Sequence, residues 1–247
     1  MTTQTNSKIL VVEDSPQYLA VAQTFFTSQP NFQLIYARDY EHGERGLREE
    51  GLAGVITDCF FRSIEGSSDI TRGREAIEKM RSIDPVEIRV KALEQAYREI
   101  FGDCFDGELR EGMRALNVFS YPGDNTFRAV KRAVENTSKE IAAKILKNTP
   151  PLKLERCRVK DPYARLIDAM EEDPSNQPLG ILIAEQAQQL SIPVVLATSC
   201  YHHDYLIRQI EDHAHRINLT IIDCSDKSID EKSTPEYWQR AFSSLHL

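Results

Sequence analysis

The chain has no apolar run approaching the roughly 20 residues needed to span a bilayer. Its opening residues, Met1-Thr2-Thr3-Gln4-Thr5-Asn6-Ser7, are polar and lack a signal-type apolar core. The expectation is a cytoplasmic protein with no membrane partner. Positive charge is also short: 30 Lys and Arg against 38 Asp and Glu leave a net charge of −8. That balance argues against direct nucleic-acid binding. Cysteine is sparse and odd in number, five in all without regular spacing, which fits reduced thiols and not a disulfide framework. No helix-turn-helix and no catalytic kinase motif stands out. What remains, 41% hydrophobic and 28% charged residues over 247 positions, is the composition of a folded globular chain.

The most informative stretch is Lys8-Ile9-Leu10-Val11-Val12-Glu13-Asp14-Ser15-Pro16. An apolar run of this length reads as a parallel strand buried on both faces. It ends in two adjacent carboxylates, at the strand tip where open α/β sheets bind ligands. Adjacent carboxylates repel, and hard oxygen ligands suit Mg²⁺. A solvated acidic loop is the plainer alternative. Ser15 and Pro16 then supply an N-cap and a first helical residue for a helix over 15–28. Phe32 to Ala37 reads as a second strand, and residues 40–50 are helix-permissive. Gly54-Val55-Ile56-Thr57-Asp58 is a third strand, again ending in a carboxylate. If strands one and three are neighbours, Glu13, Asp14 and Asp58 converge at one crevice.

Two more strands come late. Ile192-Pro193-Val194-Val195-Leu196-Ala197-Thr198-Ser199 ends in hydroxyls, and Leu219-Thr220-Ile221-Ile222-Asp223 is followed by Lys227. Acid pair, acid, hydroxyl and lysine, each at a strand end and in that order, resemble the receiver domain of two-component response regulators. The resemblance implies a flavodoxin-like, doubly wound α/β fold with a five-stranded parallel sheet in the order 2-1-3-4-5. It implies Glu13, Asp14 and Asp58 as Mg²⁺ ligands, Asp58 as phosphoacceptor, Thr198 as the switch hydroxyl and Lys227 as the lysine that contacts the phosphoryl group. It covers roughly residues 7–62 and 176–245, and one receiver-like domain is expected over 1–62 and 176–247. The chain departs from the pattern at Cys59-Phe60-Phe61-Arg62, where a small or apolar residue and then a proline are usual. Lys227 also lacks a following proline.

Residues 63–175 hold no convincing strand and read as an inserted helical subdomain. Helical patterns cover 72–81, 85–101, 107–116, 126–147 and 161–171, with Asp84 and Gly102 as start and stop signals for the second. Asn176 to Leu190 then resumes the α/β pattern with a helix. Tyr201-His202-His203-Asp204-Tyr205 opens the helix after the fourth strand, and His213 and His215 are expected on its surface. Cys59, Cys200 and Cys224 fall near strand ends beside His202 and His203; a zinc site is one reading, and small core residues the stronger one.

The functional expectation is a stand-alone receiver-like signalling module that acts through protein contacts with a kinase or effector, not an enzyme. Two alternatives stay open. One is a degenerate receiver that serves as a non-phosphorylated scaffold. The other is a Mg²⁺-dependent phosphohydrolase capped by the insertion, although Asp58-Cys59-Phe60 lacks the second acid of an Asp-x-Asp motif.

Overall fold

The computed structural model describes residues 7–84, 163–201, 206–225 and 229–247. In chain order these form β1 (Ser7–Val12), α1 (Pro16–Thr27), β2 (Phe32–Ala37), α2 (Tyr40–Gly46), β3 (Leu52–Thr57) and α3 (Thr71–Ile83). Then come α4 (Ala164–Glu172), α5 (Gly180–Gln189), β4 (Val194–Tyr201), α6 (Ile207–Arg216), β5 (Thr220–Cys224) and α7 (Pro235–Ser243). Residues 1–80 with 165–247 make one compact unit, and residues 81–164 another. The helices expected over 85–101, 107–116 and 126–147 lie outside the described residues. Those expected over 72–81 and 161–171 correspond to α3 and α4.

The five strands form one parallel sheet in the order β2-β1-β3-β4-β5. This is a flavodoxin-like α/β arrangement. Alternation along β1 explains its two layers. Ile9 and Val11 pack on one face with Leu19, Phe25 and Phe26 of α1 and with Tyr237 and Trp238 of α7. Leu10 and Val12 pack on the other with Val55, Ala76 of α3, and Leu182 and Ile183 of α5. Both faces are covered, which is why the strand is apolar throughout. Trp238 is fully buried, and truncating such a residue to alanine costs about 3–5 kcal/mol.

Register fixes what meets at the C-terminal edge. Val12 pairs with Ala37 on one side and with Thr57 on the other. One further rung follows on each side: the Glu13 N–H donates to the Ala37 carbonyl at 2.9 Å, and the Asp58 N–H to the Val12 carbonyl at 2.8 Å. Glu13, Asp14 and Asp58 therefore leave the sheet at one level.

Two features differ from the sequence expectation. β4 runs on to Tyr201 because its pairing with β5 resumes at Tyr201–Cys224 after an irregularity beyond Ala197. Tyr201 thus belongs to the strand, and α6 starts only at Ile207. The terminal helix α7 was not anticipated. Thr234 caps it by accepting from the Tyr237 N–H, and Pro235 is its first residue.

Candidate functional site

Glu13 is 1% exposed, an unusual place for a carboxylate. Its Oε1 accepts the Ser15 N–H at 3.0 Å, a bond set up by the tight exit from β1 into α1. Burial pushes its pKa up to about 7; the Lys232 ammonium opposes this and the Asp58 carboxylate adds to it. Asp14 is raised to about 6, first by burial and then by Asp58, against the pull of Lys232. Asp58 sits one residue past β3, and its Oδ1 accepts the Cys59 N–H at 2.8 Å. One carboxylate oxygen from each of Glu13, Asp14 and Asp58 lies within 4.8 Å of the others. The three acids expected to converge do so.

The cation that answers them is Lys232, which is 0% exposed. Its Nζ lies 2.7 Å from Glu13 Oε2 and 2.9 Å from Asp58 Oδ1. It also donates to the Ala197 carbonyl at 2.9 Å and stands over the Tyr18 ring, 5.2 Å from its centre. Burial alone would lower the pKa of this lysine; Asp58 and Glu13 override that and hold it well above its ordinary value. Lys232 lies in a short 3₁₀ turn, Glu231–Ser233, just before α7. Trp238 fixes that turn by donating its indole N–H to the Lys232 carbonyl at 3.0 Å. The sequence offered a signal here: Thr234-Pro235 marks a helix start, and the loop after a parallel strand delivers the residues just before that helix to the sheet edge. Lys227, nearer to β5 in sequence, lies outside the described residues.

Three acids against one ammonium leave the pocket short of positive charge. Glu13 Oε2 is closed off from solvent, and the Lys232 ammonium at 2.7 Å is its close partner. Three carboxylates that share one ammonium, with burial raising Glu13 and Asp14, are a donor set that could hold a small hard cation such as Mg²⁺.

A glycine sets the height of the Asp58 loop. A Cβ on Gly180, the first residue of α5, would lie 2.0 Å from the Asp58 carbonyl oxygen. The Gly180 N–H instead donates to the Cys59 carbonyl at 3.2 Å. Only glycine allows this backbone-to-backbone approach.

Thr198 is buried beside this site, but its hydroxyl is engaged elsewhere. Oγ1 accepts the Cys200 N–H at 3.1 Å. No hydrogen bond joins it to Asp58. Cys59 is fully buried and its thiol is pushed well up, by burial first and then by Asp58. Cys224 is buried too, its thiol 3.9 Å from the Thr198 carbonyl. Among the described residues no cysteine belongs to a cluster able to hold a metal, and His202 and His203 lie outside them. His213 was expected at the surface and is instead fully buried. Its Nε2 meets Glu185 Oε1 of α5 at 2.9 Å, a partner that no reading of α6 alone reveals.

No helix among the described residues is long and apolar enough to cross a membrane. No protein-family model matches the chain, and neither a curated protein nor a solved structure matches it.

Proposed function

We propose that this chain is a receiver-like signalling module in which Asp58 accepts a phosphoryl group. The observation that carries the reading is Lys232 Nζ, buried and within 2.9 Å of both Glu13 and Asp58 at the C-terminal edge of a parallel sheet. An ammonium held there would meet a phosphoryl oxygen on Asp58. Both polar contacts of the Asp58 carboxylate fall on Oδ1. Oδ2 is then the oxygen that bonds to phosphorus, while the donor's leaving oxygen departs with the electron pair. Glu13, Asp14 and Asp58 would hold Mg²⁺, which when bound screens the negative charge of the incoming donor from the carboxylates. The readers of the phosphorylated state would be protein partners, a kinase upstream and an effector downstream, in the cytoplasm, with no direct role for nucleic acid or membrane.

The test is incubation with a small acyl phosphate and Mg²⁺, followed by intact mass. Wild type gains one phosphoryl group, and Asp58→Ala gains none. Equal masses for the two would leave a second reading, a non-phosphorylated scaffold. That reading draws on Thr198, whose hydroxyl accepts the Cys200 N–H and makes no hydrogen bond to Asp58.

A further inference from the structure

We propose that Gln177 is a positioning residue that couples the Asp58 loop to both necks of the long segment between β3 and α5; this rests on the phosphoacceptor reading of Asp58. Gln177 is fully buried. A buried amide is costly unless every polar atom is matched, and here every one is. Oε1 accepts the Gly73 N–H at 3.0 Å. Nε2 donates to the Asp69 carbonyl at 3.0 Å and to the Pro174 carbonyl at 2.9 Å. Its own carbonyl accepts the Phe61 N–H at 3.2 Å and the Leu179 N–H at 2.7 Å. One side chain thus ties the outgoing chain at Asp69 and Gly73 to the returning chain at Pro174. Its backbone ties both to Phe61.

The other end of this block is Asp58 itself. Gly180, three residues after Gln177, lies against the Asp58 and Cys59 backbone with no room for even a methyl group. At the neck, a Cβ on Gly73 would lie 2.5 Å from Met170 Sδ of α4 and 2.8 Å from Gln177 Cγ. Arg62 adds a second strap, donating to the Ser67 carbonyl at 3.0 Å and pairing with Asp173 at 2.9 Å. From Asp58 to α3 and α4 the contacts are close-packed and hydrogen-bonded, so a shift of the Asp58–Cys59 backbone has no slack in which to dissipate. α3 carries the chain out toward residues 81–164, and α4 brings it back. A change at the phosphoacceptor is therefore delivered where the insertion begins and ends.

The experiment is amide hydrogen exchange on the full chain, with two variants. Gln177→Met keeps the volume and removes the three side-chain bonds. Gly73→Ala drives the Gln177 and Met170 side chains aside while improving helix propensity in α3. Without ligand, the Phe61, Gly180 and residue-73 amides should all exchange about tenfold faster in both variants, the equivalent of one buried hydrogen bond lost from a shared opening. The Val11 and Ile56 amides should keep their rates. Faster exchange at residue 73 alone, with Phe61 and Gly180 unchanged, overturns the coupling. With Mg²⁺ and beryllofluoride, wild type should change protection at Phe61 and at Gly73, whereas Gln177→Met should respond only at Phe61. A wild type that responds at Phe61 and not at Gly73 overturns the coupling as well. A wild type that responds at neither sinks the phosphoacceptor reading, and the ligand-free comparison then decides the clasp by itself.

Discussion

Gly180 and Asp58 touch backbone to backbone: the space where a Gly180 side chain would begin is already filled by the Asp58 carbonyl. Helix propensity favours alanine over glycine by about 1 kcal/mol, so on propensity alone Gly180→Ala would stabilise α5. The obstructing atoms are backbone, Asp58 O at 2.0 Å with Asp58 C and Cys59 Cα at 2.9 Å, and cannot rotate away. Gly180→Ala should therefore destabilise by about 1–3 kcal/mol, the usual cost of overpacking. Denaturant unfolding measures it, and a variant as stable as wild type would show that the loop gives way.

Lys232 stabilises through two carboxylates that have little else to neutralise them. Removing one partner of a buried ion pair costs about 3–5 kcal/mol because the remaining charge is stranded. Lys232→Met should fall in that range at neutral pH. In an Asp58→Asn background the same change should cost clearly less, since one stranded charge is already gone. The double-mutant cycle isolates this term. Equal costs in the two backgrounds would mean that the lysine acts through packing and its bond to Ala197 alone.

Asp14, only partly buried, offers a way into the metal proposal. It stands beside Asp58 with its pKa raised to about 6, so without metal its charge opposes folding. Asp14→Asn should leave the metal-free melting temperature unchanged or higher while weakening Mg²⁺ binding, read by calorimetry or by the Mg²⁺-induced rise in melting temperature. Undiminished Mg²⁺ affinity in this variant would count against the three-acid site.

The sheet and its acids were legible because their determinants are local. β1 and β3 announce themselves as short apolar runs, and a carboxylate one or two residues beyond a parallel strand can only emerge at its C-terminal edge. Lys232 was not legible for the opposite reason. It is held by oxygens from Glu13, Asp58 and Ala197, which belong to three separate strands or their exits, and by Tyr18 on α1. In sequence only the helix start at Thr234-Pro235 hints at its place, and nothing there names its partners. His213 is a similar case: it lies on the buried face of α6 with Ile207, Ile210 and Ala214, and its charged partner Glu185 comes from another helix. Gly180 reads as an ordinary helix start until the Asp58 backbone is placed against it. Thr198 lies where its strand was expected to end in hydroxyls, and its Oγ1 accepts the Cys200 N–H, a local bond that the sequence pattern does not announce.

The raised carboxylates also set the pH response of the metal-free protein. Glu13 at about 7 and Asp14 at about 6 both lie above the unfolded carboxylate range near 4. Between pH 4 and 7 the folded protein therefore binds more protons than the unfolded chain, so its stability falls as pH rises through this window. The total is on the order of 2–4 kcal/mol, with the Asp14 share discounted because solvent reaches it. Asp39 and Glu185 act in the opposite sense. Burial would raise both, but bonds from His42 and Glu65 at Asp39, and from His213 and Lys79 at Glu185, hold them low. Their stabilisation is present above about pH 4 and lost below it as they protonate. The melting temperature without metal should therefore be highest near pH 4 and lower at pH 7.5 than at pH 5. Mg²⁺ should raise it far more at pH 7.5, where the acids are ionised, than at pH 5, where protons compete. Scanning calorimetry at the two pH values, with and without Mg²⁺, checks this. An Mg²⁺ effect of equal size at both would place the ion away from Glu13 and Asp14.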